Sequence, residues 1–491
     1  MKRFLCMFLI VAMVLGMTLS LTGCGGESST PAGEDDPDEF VELDYWFPVS
    51  SIPNDLRDIQ DDLNVILKEK LNCKLTLHAV GIGDYESTML LKINTQDEFD
   101  ICYTSPWMNN YSNNVRRGAF IELDDLLPEY APTIWNTISP TYWDAARIDG
   151  KIYGIINQQI LPRSACISID TAKAKAAGFD ISTVKRYEDL EPFLTYCKAQ
   201  GDTDIVNMFD VQAFLPYFYW DDLGGSYKIP GYTSAFDETL TVFNQYETEE
   251  WQSMMALGAD WYRKGYFRED ILTSFSNLNK ISVRFPTTYK PGIEAEEVLY
   301  TGREFDVQQI GDWMTYGSWV IGTMNAISQT SRNPIRALQV LELLYTDVDI
   351  YNLMVFGEEG VHYNKLGENR IELTDNTGYQ MPSGGWMFGN QFNLWLQPSQ
   401  ADDVWEQTEV INNTSPYSTA YGFSFDPTNV KTEIANCVAV YDEFYLPLLL
   451  GLYNDNDAKY QEFLNKMEAA GASAIIAEKQ RQLDEWKSAN G

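Results

Sequence analysis

The sequence predicts an α/β protein of two lobes with a helical C-terminal part, and three observations carry that prediction. Strand-like and helix-like segments alternate between Val41 and Tyr103. Hydrophobic cores stop growing at about 250–300 residues, so a chain of 491 residues calls for more than one. The last stretch, Tyr460 to Trp486, keeps helical spacing almost throughout.

The residues before the first strand have the layout of an export signal. Lys2 and Arg3 precede an apolar run from Phe4 to Leu21, which ends in Leu21-Thr22-Gly23-Cys24. A membrane-spanning helix needs about 20 apolar residues. This run is broken at Gly16, Thr18, Ser20, Thr22 and Gly23 and has no basic stop after it. Its ending resembles the lipobox of bacterial lipoproteins. That implies removal of residues 1–23, lipidation of Cys24 and stable anchoring by two or more acyl chains. Residues 24–39 hold Gly, Ser, Pro and acid but no large apolar side chain, and are expected to be a flexible acidic tether.

The elements follow in order. Val41–Phe47 (VELDYWF) alternates and is aromatic, as a strand does. Leu56, Ile59, Leu63 and Ile66 share one helical face. Cys73–Val80 is a second strand, Met89–Ile93 marks another helix, and Phe99–Tyr103 is a third strand. This βαβαβ run predicts a parallel sheet with both faces covered. Asp149–Asn157 (DGKIYGIIN) reads as a turn and a strand, and Ala165–Asp170 (ACISID) opens a second α/β unit. Asn333-Pro334 reads as an N-cap with proline at the first helical position, ahead of Leu338, Leu341 and Leu344. Tyr460, Phe463, Leu464 and Met467 line a helix stopped at Gly471, and Ile475 to Trp486 forms the last one. Asn454-Asp455-Asn456-Asp457 lacks the glycine and spaced ligands of a calcium loop and reads as a helix cap.

In open α/β sheets the ligand lies beyond the carboxyl ends of the strands. Here those ends lead into Trp46-Phe47-Pro48, Gly81-Ile82-Gly83-Asp84 and Thr104-Ser105-Pro106-Trp107. Aromatic faces beside hydroxyls and a carboxylate suit a neutral polyhydroxylated ligand, whose C–H faces stack while its hydroxyls hydrogen-bond.

The charge balance, 71 acids against 35 bases for a net charge of −36, excludes nucleic acid as a partner. Cys73, Cys102, Cys166, Cys197 and Cys437 are odd in number and widely spaced, so no disulfide framework or zinc site is expected. Cys73, Cys102 and Cys166 fall in strand-like runs and are expected to be small buried hydrophobes. The only two histidines, His78 and His362, read as structural, and GxSxG and HExxH are absent. No cofactor, metal or catalytic residue is therefore expected.

Together, the lipobox and tether, FDICYTSPW (Phe99–Trp107), GAFIELDDLLPEYAPTIW (Gly118–Trp135), DGKIYGIIN and NAISQTSRNPIRALQVLELLYTD (Asn325–Asp347) resemble a known family. It is family 1 of the extracellular solute-binding proteins of bacterial ABC importers, the sugar-binding group. GEEGVHY (Gly357–Tyr363), GGWMFGNQF (Gly384–Phe392) and the helical close from Phe425 to Trp486 resemble its LipO-like lipoprotein subgroup. The resemblance implies a two-lobed periplasmic-binding-protein-like fold, each lobe a mainly parallel sheet flanked by helices. Lobe one would be residues 40–160 plus 322–375, and lobe two residues 161–321 plus 376–491. It implies an oligosaccharide held between the lobes and delivered to ABC permease subunits. The protein would be a monomer, lipid-anchored on the outer face of the bacterial cytoplasmic membrane. The matching positions for ligand contact are Trp46, Trp107, Phe214, Tyr289 and Trp386 as stacking faces. Asp84, Thr104, Ser105, Asn157, Gln212 and Asn390 match as hydrogen-bonding groups. A cell-surface glycan adhesin and a glycoside hydrolase are the competing readings; with 71 acids, some carboxylate pair at hydrolase spacing is expected by chance.

Overall fold

The computed structural model describes residues 36–207, 211–273, 277–379 and 381–490; the signal segment, Cys24 and most of the tether lie outside them. The strands that position the site are, in chain order, β1 (Val41–Val49), β2 (Cys73–Gly81), β3 (Ile101–Thr104) and β4 (Ile155–Ile156). They are followed by β5 (Cys166–Asp170), β6 (Val283–Arg284), β7 (Phe305–Gln309) and β8 (Met324–Ile327).

The first sheet has the order β2-β1-β3-β8-β4. β1 is parallel to β2 and β3, as the βαβαβ pattern predicts, and β8 runs antiparallel to β3 and β4. Helix Leu56–Leu71 lays Ile59, Leu63 and Leu67 against this sheet and ends on Asn72 in the left-handed conformation. Pro334 opens helix Pro334–Thr346, whose Leu338, Leu341 and Leu344 are buried; the Asn333 side chain makes no cap bond there.

The second sheet departs from expectation. Its order is β6-β5-β7 and both pairings are antiparallel, so a mainly parallel sheet describes only β1 to β3. The β5 run is buried at every residue. A continuous apolar run shows that both faces are covered but not which way the neighbours run.

Two large hydrophobic cores result, with a small cluster of Ala235, Met314 and Tyr316 beside them. The first gathers β1–β3, helix Leu56–Leu71 and helix Pro334–Thr346; the second gathers β5, Phe193, Trp251, Trp261 and the C-terminal helices. The chain passes between them from Leu161 to Ile167, back by Val320, and out again after Trp395 to Ala420. The implied division puts residues from 376 onward in lobe two, but Tyr379, Met381, Met387, Phe388 and Trp395 pack in the first core. Tyr379 donates its hydroxyl to the Met354 carbonyl (2.8 Å), and the Phe388 ring meets Tyr45 and Phe47 edge-on at 5.9 and 5.2 Å. Aromatic edges from the sheet hold the segment to lobe one.

Helices Lys431–Leu449, Asn456–Ala470 and Ala472–Asn490 complete the second core. Asp455 caps the middle one by accepting from the Ala458 N–H (2.9 Å), so the Asn454–Asp457 run does serve as a helix cap. Gly471 ends that helix at φ 110°, a conformation that favours glycine. The five described cysteines are buried free thiols, and burial pushes Cys197 and Cys437 up to about 11, out of reactive range.

Candidate ligand-binding cleft

Two adjoining chambers open between the cores. One, of about 450 Å³, is walled by Trp107, Trp386, Gly322 and Thr323 on the first-core side and by Arg284, Phe285, Glu297 and Tyr300 on the other. The second, of about 420 Å³, adds Arg163, Asp222, Tyr227 and Lys228. Trp107, Gln212, Trp319 and Gly322 belong to both, so the chambers form one cleft. Each volume lies in the range of ligand pockets, about 300–1,000 Å³.

The loop after β3 shows how local chemistry makes this wall. Thr104 donates its hydroxyl to the Asn109 carbonyl, and Ser105 bonds Met108 through both its N–H and its hydroxyl at 3.0 Å. The turn so closed carries Trp107 at its tip, 47 % exposed. Its indole N–H reaches the Gly322 carbonyl (2.8 Å), and its ring stands 6.1 Å from Trp386 and 6.0 Å from Tyr103. Thr104 and Ser105 are buried and spent on shaping the loop, not on facing the cleft.

Trp386 is placed from behind. The buried Asn157 amide donates to the carbonyls of Met387 (2.8 Å) and Trp386 (3.1 Å), while its oxygen accepts from Asn325 on β8 (2.8 Å). Asn157 is thus a positioning residue, not a cleft group. Asn157→Ala removes three buried hydrogen bonds, although Asn325 still donates to the Met387 carbonyl (3.1 Å), and is expected to cost about 1–3 kcal/mol of stability and to weaken binding through Trp386. Denaturant titration and calorimetric titration check the pair; unchanged stability would contradict the assignment.

The opposite wall is charged but balanced. Arg284 donates to Glu297 (3.0 Å) and lies 4.6 Å over the Tyr300 ring. Glu297 also accepts from Ser168 on β5 (3.0 Å), and burial raises its carboxyl despite Arg284. Lys290 pairs with Glu296 at 2.5 Å. At the junction of the chambers the Arg163 guanidinium stacks 4.0 Å from the Trp319 ring and donates to the carbonyls of Gln212 and Thr287.

Of the residues expected at the site, Trp107, Gln212 and Trp386 line the cleft. Trp46 does not: β1 runs on to Val49, so Trp46 is mid-strand, stacked 4.0 Å on His78 with Lys92 4.4 Å above. Asp84 is exposed in the first turn of helix Ile82–Thr95, because β2 passes into that helix without a loop. Phe214, 2 % exposed, packs in the second core 4.4 Å from Tyr187. Tyr289 sits beside the cleft residues Thr288 and Lys290, with its ring 5.8 Å from Trp313 instead. Asn390 caps the short turn Gln391–Asn393 by accepting from Phe392 N–H (3.1 Å).

Trp319, Arg163, Arg284, Glu297, Tyr300 and Thr323 are cleft residues that sequence reasoning missed. For Arg163 a signal exists: a lone base in the apolar run ILPRSACISID of a strongly acidic chain. The others come from short elements, among them the one-turn helix Gly317–Val320, whose periodicity is too brief to read.

A ligand cleft between two α/β lobes, crossed by three passages of chain and walled by indoles, is the architecture of a solute-binding protein. Residues 419–488, within the C-terminal helical part, match a domain of unknown function, DUF3502. The chain is 24 % identical over 485 residues to a carbohydrate ABC transporter substrate-binding protein of Streptococcus pneumoniae, covering 97 % of each. It is 21 % identical to the polygalacturonan/rhamnogalacturonan-binding protein YtcQ of Bacillus subtilis, covering 98 % of this chain and 96 % of that one. Its structure superposes at a TM-score of 0.78 on the N-glycan transport solute binding protein NgtS of S. pneumoniae in complex with Man5GlcNAc. That match has 25 % identity and covers 92 % of this chain and 100 % of that one. Over nearly its whole length the chain is similar to solute-binding proteins of carbohydrate ABC transporters.

Proposed function

We propose that this protein captures an oligosaccharide between its two lobes and delivers it to the permease subunits of an ABC importer, without chemical change. One observation carries the reading: a single two-chambered cleft receives stacking faces and hydrogen-bonding groups from both sides. Trp107, Trp319 and Trp386 offer planes for sugar C–H faces, and Thr323, Gln159 and Gln212 offer hydrogen bonds. The relatives are binding proteins, which supports capture over hydrolysis. The Leu21–Cys24 ending supports tethering outside the cytoplasmic membrane through lipid on Cys24.

The test is a thermal-shift panel of maltotetraose, xylotetraose, Man5GlcNAc and tetragalacturonate. A ligand at about 100 times its dissociation constant stabilises the folded state by about 2.7 kcal/mol, so a true ligand raises the melting temperature. The best binder is then incubated with the protein and assayed for new reducing ends. Turnover abolished by one carboxylate substitution would replace capture with hydrolysis. Cys24→Ala is expected to leave the membrane fraction, and its retention there would remove the anchor from this reading.

A further inference from the structure

Every cation in the cleft wall is already engaged within the protein. In the larger chamber there are two, each facing its own carboxylate: Arg284 with Glu297 at 3.0 Å and Lys290 with Glu296 at 2.5 Å. Glu297 is only 1 % exposed, and Ser168 donates to the same carboxylate oxygen that Arg284 holds. In the second chamber Lys228 pairs with Asp442 at 2.8 Å, and Asp222 lines the wall. Arg163 turns its N–H groups to the carbonyls of Gln212 and Thr287 and one face to Trp319.

This wiring bears on the charge of the ligand. An anionic sugar gains affinity from a cation whose donors reach it, usually an arginine fork that binds the carboxylate in two places. In the larger chamber Arg284 or Lys290 would first have to leave its own carboxylate, which would remain as a like charge beside the ligand, and Arg163 would have to leave the Gln212 and Thr287 carbonyls. The field of a chain with net charge −36 adds repulsion during approach. A neutral glycan meets neither penalty, since hydroxyls bond to paired charges without displacing them.

We propose that Glu297 and Glu296 are specificity-determining residues: by neutralising Arg284 and Lys290 they make the cleft select an uncharged glycan and reject uronic-acid chains of the same length. The proposal rests on the carbohydrate-capture reading and names its substrate class. Removing either carboxylate charge leaves a cation facing the chamber without its counter-ion. Glu297→Gln keeps the shape and the acceptor oxygen toward Ser168 and Arg284. Glu296→Gln does the same at a more exposed pair, with side chains 22 % and 18 % accessible, and serves if the buried variant fails to fold.

The experiment is calorimetric titration of the mature protein with the best-binding neutral member of the panel and with tetragalacturonate, at low and at high salt. The wild type is expected to bind tetragalacturonate at least about a hundredfold more weakly than the neutral glycan. In each variant that ratio should narrow by about tenfold, with the gain lost at high salt. A generally loosened site would weaken both glycans together and leave the ratio unchanged. A ratio unmoved in both folded variants, or a wild type that prefers tetragalacturonate, overturns the proposal while carbohydrate capture stands. Binding of no glycan at all overturns both.

Discussion

Trp107→Ala is expected to weaken ligand binding about ten- to a hundredfold, on the order of 1–3 kcal/mol, with little loss of stability. The indole is the wall both chambers share, and at 47 % exposure it contributes little to the core. Its N–H bond to the Gly322 carbonyl fixes the plane, and Trp386 at 6.1 Å continues the aromatic surface. Trp319→Ala should lose a similar amount, since it lines both chambers from the crossing segment and its ring holds the Arg163 guanidinium. Phe214→Ala is the contrasting substitution. That ring lies among Tyr187, Phe218 and Phe285 in the second core, so its removal should cost about 3–5 kcal/mol of stability. Binding by the fraction that remains folded should persist. Calorimetric titration beside denaturant titration separates the two classes, and normal affinity in both Trp107→Ala and Trp319→Ala would put the ligand elsewhere.

The second large effect is a stability profile with a trough between about pH 6 and pH 8. Asp221 is fully buried, and burial, helped by the neighbouring Asp222 charge, pushes its carboxyl up to about 6. The folded state therefore holds this proton more tightly than the unfolded chain, whose carboxyl titrates near 3.9. Its stabilisation is present in full below about pH 4 and is lost as pH rises through 6, a swing of about 3 kcal/mol. Lys479 is buried with no exposed surface, donating to the carbonyls of Gly231 (2.6 Å) and Asp222 (3.2 Å), and desolvation brings its ammonium down to about 8. Here the unfolded chain binds the proton more tightly, so stability rises again as pH climbs from about 8 to 10. Other carboxylates add their own slopes, so the measurement is a difference. Asp221→Asn should remove the acid limb relative to wild type, and Lys479→Met the alkaline limb. Parallel profiles for wild type and Asp221→Asn between pH 4 and 7 would refute the assignment.

Both effects arise where local pattern and long-range placement part company. The strands and helices of the first lobe were legible because each is amphipathic at its own period: Val41, Leu43, Tyr45 and Phe47 alternate inward, and Ile59, Leu63 and Leu67 recur along one helical face. The caps at Pro334, Asp455 and Gly471 were legible because a missing N–H, a side-chain acceptor and a left-handed φ are properties of single residues. The strand-end rule and the family resemblance both pointed to Trp107 and to Trp46, of which only Trp107 lines the cleft, and Trp386 was legible from the resemblance alone.

What the sequence determined by itself was the parallel β1–β3 run and the helical close, both written in residues a few positions apart. The tertiary structure alone decided that the second sheet is antiparallel and that Tyr379 to Trp395 returns to the first core. It also decided that Trp46 lies half-buried between His78 and Lys92 and that Phe214 packs in the second core, while Trp319, Arg163 and the Arg284–Glu297 pair face the cleft. The physical reason is that burial acts on an indole or a guanidinium in the same way wherever its partners come from. Which wall such a side chain faces is set by contacts between separate elements, from 13 residues apart for Arg284 and Glu297 to 156 for Arg163 and Trp319, and no local period encodes them.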